Sequence, residues 1–571
     1  MPSSTIASFL TSFGLFASFA ATPALGNTYS FRLIAQSGDP APSSLGGAFV
    51  SFGHPRINAS GQVSFQATTT GAIADSGLWR TLFDDPQTLA LIIGEDFPVP
   101  GAPAGTKFGA FQSPFHHPLL NDDSNIGFAA PVTLGDGTVG VFRMIDGVIT
   151  KVALPNDSMP GLPAGTQFKT VGNLISFNAN NLVALNVTLK GPGITALNDE
   201  GFVLTWFGGL NMLAREGNGA PGIPATTFGT MLLTYPLLTD NGQVAFDIPL
   251  NGASNAKWSR WRGWPGGLSL LAKEGDPTPL GGTFAGEHEG FWTMGTTADG
   301  ASFVERFEND AGLQRAVWRV EDTIESALVE GGVGPLGTYE EISGDVPATA
   351  VDSTLATFAR FAIANAVDTA LVLSPPQGAA EVALREGDPA PGYVAGVQFD
   401  DLVDFDSFTD VSSANSHRVL VSAATRGLGI TDANDRGVWV VDTDGTVRVA
   451  AREGSWISLE GGPLGQIALI RVSHSGSTNS GRRSSMNERG DVAMTLLFTN
   501  GDEAVVVAQP PLACAADVTG DGVVDAADLA IVLGAWGETG PVGTGGDVDR
   551  DGDTDAADLA AVLGAWGACA D

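Results

Sequence analysis

Oxygen-bearing side chains occupy positions 1, 3, 5, 9 and 12 of two twelve-residue segments near the C-terminus. They are Asp517, Thr519, Asp521, Asp525 and Asp528 in the first segment, and Asp547, Asp549, Asp551, Asp555 and Asp558 in the second. Position 6 is Gly522 or Gly552, and position 7 offers the backbone carbonyl of Val523 or Asp553. Calcium is a hard cation that takes six to eight oxygens around a sharp glycine turn, and this spacing supplies them. A single solvated acidic loop is commonplace. The same spacing repeated 30 residues later is not, and two bound calcium ions are expected.

Each segment runs into an apolar stripe at i, i+3, i+4 and i+7: Leu529, Val532, Leu533 and Trp536, then Leu559, Val562, Leu563 and Trp566. A short helix is expected after each loop, with near two-fold symmetry between the halves. Trp536 and Trp566 are expected to pack against the opposite half as the small core, the alternative being that one faces outward to anchor a partner. On these residues the segment 514–571 resembles a dockerin type I module, a pair of loop–helix half-EF-hands on secreted bacterial proteins. The resemblance implies calcium binding and a cohesin-like or cell-surface partner. The chain departs from the cohesin-reading pattern: Ala526-Ala527 and Ala556-Ala557 replace Ser/Thr at loop positions 10 and 11, and neither helix carries Lys or Arg.

Cys514 and Cys569, the two cysteines of the chain, bracket this tail. In an oxidising compartment they would close its ends as a disulfide, two free thiols being the alternative. A tail this short buries little core, so a covalent staple plus metal makes physical sense.

The chain carries 28 basic against 63 acidic residues, a net charge of −35. Such a surface repels phosphate backbones and anionic lipid, which excludes nucleic acid and polybasic membrane docking from the expected partners. Residues 1–26 read as a secretory signal peptide, apolar to about Ala21 with Ala24-Leu25-Gly26 as the cleavage site, so a secreted or cell-surface location is expected. No membrane span is expected, since no apolar run reaches roughly 18 residues.

Residues 28–510 contain one phrase eight times: an apolar strand, Glu/Asp-Gly, a Pro-rich turn, then an aromatic. Clear copies are Ser37-Gly38-Asp39 before Phe49, Glu216-Gly217 before Phe228, Glu274-Gly275 before Phe284 and Glu386-Gly387 before Phe399. Weaker copies lead to Phe108, Phe168 and Tyr339, and one begins at Glu453-Gly454. Within each unit a second phrase, such as Asn58-Ala59-Ser60-Gly61 or Asn487-Glu488-Arg489-Gly490, reads as a tight turn entering a strand. Four short strands per unit, repeated at even spacing, predict a mainly-β chain. The chain enters with a lone fourth strand at 29–35 and leaves with a third strand at 503–507. The complement predicts an eight-bladed β-propeller whose last blade is closed by the N-terminal strand, with tandem sandwiches as the rival. The repeat region is similar to tandem-repeat regions of secreted bacterial proteins that end in dockerin-like tails, and it lacks the Trp-Asp signature of WD-type repeats.

Sites for chemistry are sparse in the repeats. Asp39, Asp96, Glu216, Glu274, Glu330, Glu386 and Glu453 would form an acidic collar at the channel mouth, unless the repeated phrase simply builds the turn between blades. Turn building is the stronger expectation, because a catalytic acid pair breaks a repeat instead of following it. Arg215, Lys273, Arg385 and Arg452 precede these residues and are placed to pair with carboxylates of neighbouring blades. The six histidines (54, 116, 117, 288, 417 and 474) have no zinc spacing. Trp258-Ser259-Arg260-Trp261-Arg262-Gly263-Trp264 either stacks on sugar rings or forms a packed third strand of blade four, the latter being favoured. These observations predict a secreted, calcium-binding, non-catalytic binding or surface-structure protein; the alternative is a carbohydrate-active enzyme, a polysaccharide hydrolase or lyase carrying a dockerin. The ligand of the propeller is left open, polysaccharide among the candidates.

Overall fold

The computed structural model describes residues 29–568 apart from 43–46, 71–74, 83–84, 86–87, 112–117, 134–137, 232–235, 255, 287–293, 297–300, 321–322, 343–347, 350–353, 364–365, 401, 403–408, 413–417, 443–444, 459–463, 473–484, 488, 511–515, 520–522, 541–544 and 550. The expected signal segment, Cys514, Cys569, Asp521 and all the histidines but His54 lie outside the described residues.

Eight antiparallel sheets follow one another as the blades of an eight-bladed β-propeller. Blade three shows the plan plainly, with strands Gln167–Phe177, Val183–Lys190, Glu200–Trp206 and Gly209–Arg215 paired in chain order. Its inner strands are apolar on both faces because each blade is covered by a neighbour on either side. Phe202, Val203 and Leu204 are consecutive and all buried. The core is therefore a ring of layers between blades. In one layer Ala129 and Val141 of blade two meet Phe168, Leu185 and Val203 of blade three.

The ring closes where the sequence predicts. Strand β1, Ser30–Gln36, lies antiparallel to Glu503–Gln509, from Ser30 opposite Gln509 to Gln36 opposite Ala504. Ile34 and Ala35 then share one cluster with Val505 and Val507 of blade eight and Phe49, Phe65 and Trp79 of blade one. Glu503 accepts the Phe52 backbone N–H at 2.8 Å, fixing blade eight to blade one. Such a closure excludes tandem sandwiches.

The regular aromatic spacing has a packing cause. The marker ring lies edge-on to a third-strand tryptophan of its own blade in four cases: Phe49–Trp79 at 5.2 Å, Phe228–Trp261 at 5.1 Å, Phe284–Trp318 at 5.0 Å and Phe399–Trp439 at 4.9 Å between centroids. One backbone bond also recurs at all eight connections. The amide of Gly38, Asp96, Asn156, Gly217, Gly275, Gly331, Gly387 or Gly454 donates to the carbonyl of Phe49, Phe108, Phe168, Phe228, Phe284, Tyr339, Phe399 or Ile467, at 2.8–3.0 Å. Every donor has positive φ, between 65° and 91°. Glycine adopts that conformation most readily, and Asp and Asn are the side chains that tolerate it best, so the two copies with Asp96 or Asn156 in place of glycine keep the turn.

This turn geometry corrects the acidic collar. The turns follow the outermost strand of each blade, and several of their carboxylates are engaged there. Glu330 accepts backbone N–H groups of Arg315 (2.9 Å) and, in the next blade, Ile342 (3.2 Å). Glu274 accepts Lys257 N–H at 2.6 Å, and Glu386 pairs with Arg426 of blade seven at 2.9 Å. The basic residues before them mostly stay at home: Lys273 pairs with Asp276 in its own turn and Arg385 with Asp368 in its own blade, while Arg452 stacks on Tyr393 at 4.5 Å. In blade four, Ser259–Trp264 is the third strand, with Trp258, Arg260 and Trp261 fully buried. Arg260 contacts Asp247 at 2.9 Å and Glu305 of blade five at 3.2 Å.

The Asn-Gly turns do more than enter a strand. Asn58 accepts the Gln62 amide at 2.9 Å and donates to the Asn121 carbonyl of blade two at 3.0 Å. Asn121 donates to Asn178 (3.3 Å), Asn178 to Thr239 (2.8 Å) and Asn487 of blade eight to Asn58 (3.3 Å). These side chains are buried, so each bond is made away from competing water.

Two outcomes follow from this packing. Asn58→Ala removes an inter-blade donor and leaves the Gln62 amide and Asn121 carbonyl short of partners; urea unfolding should show a loss of about 2–4 kcal/mol. The exposed Asn500→Ala should stay within about 0.5 kcal/mol of wild type. Glu453 is pushed up to about 7 by burial and by Asp435, with Arg436 acting against them. The native chain holds that proton more tightly than the unfolded one, so stability falls as pH rises from 4.5 to 7. Glu453→Gln should melt about 2 °C above wild type at pH 8 and no higher at pH 4.5.

Candidate metal centre

The tail forms two short helices, α1 at Ala526–Gly534 and α2 at Ala556–Gly564, each entered from one of the acidic loops. Asp525 and Asp555 are the N-caps. Each has extended backbone and accepts an amide two residues on, from Ala527 or Ala557, at 2.7 Å. Asp528 and Asp558 return the bond to the N-cap amides at 2.8 and 2.7 Å, completing a capping box in each helix. The same two residues also reach back across the loop, Asp528 to the Thr519 amide at 2.9 Å and Asp558 to the Asp549 amide at 3.0 Å. Position 12 thus ties position 3 to position 9. The Asp-x-x-Asp spacing carried this capping signal, and a reading of the loops as ligand sets alone overlooks it.

In the second loop Asp547 folds inward and accepts the amides of Asp551 (3.0 Å) and Gly552 (3.1 Å). Its carboxylate, with those of Asp549 and Asp551, forms a group whose ligand oxygens lie within 4.8 Å of one another. Asp553, Asp555 and Asp558 form a second such group. Asp549 is pushed up to about 7 by burial and by the charges of Asp551, Asp558 and Asp547. Burial and the Asp551 charge raise Asp553 as well, and one of its buried carboxylate oxygens has no hydrogen-bond partner. The donor set is entirely hard oxygen, arranged in converging groups that repel one another, and it fits a divalent cation of the calcium type. Of the first loop's predicted ligands, Asp517, Thr519, Val523, Asp525 and Asp528 are described, and Thr519 donates to Asp517 at 3.1 Å.

The halves are related by internal symmetry. Val523 and Val524, at positions 7 and 8 of the first loop, pair with Ala568 and Gly567 after α2. Asp553 and Thr554, at the same positions of the second loop, pair with residues 537–539 after α1. The core between them is Ala516, Val524, Val532, Val548 and Val562, flanked by Leu529 and Leu559. The expected tryptophan core is therefore wrong. Trp536 is 48% exposed and Trp566 51%, with Leu533 and Leu563 also exposed. The buried face of each helix runs through Asp528 and Val532, or Asp558 and Val562, and already leaves Leu533 and Leu563 outside, so the tryptophan beyond the helix end follows the exposed side.

Among the described residues no helix is long and apolar enough to cross a membrane. No curated protein matches the sequence. Solved structures resemble the chain in fold alone. They include the β-propeller domain of the Trilobed protease from Pyrococcus furiosus, at 9% identity over 70% of this chain and 97% of that one, TM-score 0.32. A eukaryotic initiation factor matches at 11% identity over 85% and 96%, TM-score 0.34, and the polysaccharide lyase Uly1 at 8% over 86% and 94%, TM-score 0.27. One family model matches residues 3–206, 173–335 and 349–511, most of the chain and none of the metal-loop tail. With its repeats matched from the first blade to the last, the chain belongs to the family of unknown function DUF7453.

Proposed function

We propose that the chain is a secreted, non-catalytic binding or surface-structure protein in which the propeller is a platform held in place by a two-calcium, dockerin-like tail. The observation that carries this reading is the convergence of the second loop's six carboxylates into two groups of three. It is supported by the use made of the repeated glutamates: Glu274, Glu330 and Glu386 hold backbone amides or a neighbouring blade's arginine instead of facing one another as an acid–base pair. Asp517, Thr519, Asp521, Asp525 and Asp528, with the carbonyl of Val523, hold one ion. Asp547, Asp549, Asp551, Asp555 and Asp558, with the carbonyl of Asp553, hold the other. Trp536 and Trp566, half-exposed at symmetric positions, present an apolar pair to a cohesin-like or cell-surface partner.

Calorimetry of the full chain, stripped of metal and titrated with calcium, should find two ions. Asp549→Ala with Asp551→Ala should leave one. At 100 times Kd each ion adds about 2.7 kcal/mol to tail stability, so chelation should unfold α1 and α2 ahead of the ring. Fewer than two ions on the wild-type chain refutes the reading. Docking is tested separately. Trp536→Ala with Trp566→Ala, or arginine at Ala526, Ala527, Ala556 and Ala557, should release the protein from the cell-surface fraction with both ions still bound. Unchanged retention would limit the tail to a stabilising role.

A further inference from the structure

Antiparallel order sends the hairpins between third and fourth strands, and the turns between first and second, to one face of the ring. On that face the hairpins of blades three and four carry aromatic residues whose placement the fold does not need. In blade three the hairpin turn is Phe207-Gly208, with φ of 48° and 79°. The equivalent turn of blade two is Asp146-Gly147, with φ of 50° and 77°, which is ordinary turn chemistry. A phenylalanine in this left-handed conformation is strained, its Cβ crowding the following carbonyl oxygen. Its ring is 94% exposed and gains no burial in return.

The surface continues from there into a groove. Phe207 lies edge-on to Trp206 at 5.2 Å, and Trp206 covers Gly242, where an added Cβ would sit 2.9 Å from the indole. Gln243, the next residue, lines a groove of about 600 Å³ between blades four and five together with Arg262, Trp264, Ser269 and Thr323. That volume is in the range of small-molecule sites. Trp264 is 43% exposed and sits against Gly267, whose added Cβ would meet the indole nitrogen at 2.4 Å. Glycine at 267 thus sets the ring's pose.

We propose that this strip, from Phe207 to Trp264, binds an extended neutral sugar chain. Aromatic faces stack on the C–H faces of pyranose rings, and the guanidinium, amide and hydroxyl groups of Arg262, Gln243, Ser269 and Thr323 have the donors and acceptors that sugar hydroxyls require. Two aromatic stations on adjacent blades suit a chain of several units. The net charge of −35 disfavours an anionic polymer. The inference deepens the reading of the propeller as a binding platform and gives its ligand class.

The test uses the full, calcium-loaded chain titrated with cellohexaose, mannohexaose, xylohexaose and chitohexaose, and with hexagalacturonate as the anionic control, followed by calorimetry and tryptophan fluorescence. At least one neutral hexasaccharide should bind, and Trp264→Ala should weaken it tenfold or more. Phe207→Gly should weaken it severalfold while raising the melting temperature, because it removes the strained ring; that pairing separates a binding role from a structural one. No binding to any neutral hexasaccharide, binding of hexagalacturonate alone, or wild-type affinity in both variants overturns the proposal. Calcium stoichiometry is measured independently, so two ions without sugar binding defeats this inference and leaves the tail reading intact, and the converse result does the opposite.

Discussion

A buried side-chain amide that must satisfy a neighbouring blade is the constraint on which the ring turns. Asn487, Asn58, Asn121 and Asn178 each hold their own turn closed with one end and grip the next turn with the other, from blade eight round to blade four. Hydrophobic layers between blades supply most of the driving force, but they are non-directional and would tolerate a slip. An amide buried without its partner would cost about 1–3 kcal/mol, so the bond selects one register. At Thr239 the series of asparagines ends. The next interface holds the Asp247–Arg260–Glu305 cluster, with the guanidinium 4.3 Å from the Phe303 ring. Three buried charges gain little net stability over apolar packing, yet removing one strands the others. Both devices discriminate among otherwise similar blades.

Much of this architecture was legible because it is written eight times. The marker aromatics and the Glu-Gly phrases announced the period, and the incomplete ends announced β1 as the missing strand of blade eight. What escaped the sequence were relations between repeats. Nothing in Asn58-Ala-Ser-Gly says that the side chain reaches blade two, since the partner lies 63 residues away in the chain. The glutamates pointed to a collar only while the outer position of their turns was unknown.

The tail was legible in its paired loops and helices and misleading in its core. A heptad-like stripe predicted buried tryptophans, but so small a module buries only the edge of it at Val532 and Val562 and leaves Leu533, Leu563 and both indoles outside. Valines fill the small interior instead. Phe207 was invisible for a different reason. Exposure and backbone sign are properties of a turn, and a phenylalanine before two glycines reads equally well as the end of a packed strand.

The closing of blade eight by β1 also bears on how the molecule comes into being. Ser30 is made before its partner Gln509, which lies 479 residues further along the chain. At about 5–20 residues per second, the N-terminal strand spends on the order of half a minute or more with an unpaired edge. Ile34 and Ala35, apolar and destined for an interior, are carried through that interval without their neighbours. The ribosome therefore builds an arc with one adhesive end, and two arcs that meet before closing can pair the strand 503–509 of one with β1 of the other. Crowded synthesis on one messenger is where this geometry is most exposed to mistakes, and whatever sequesters the first strand sets the yield of closed rings.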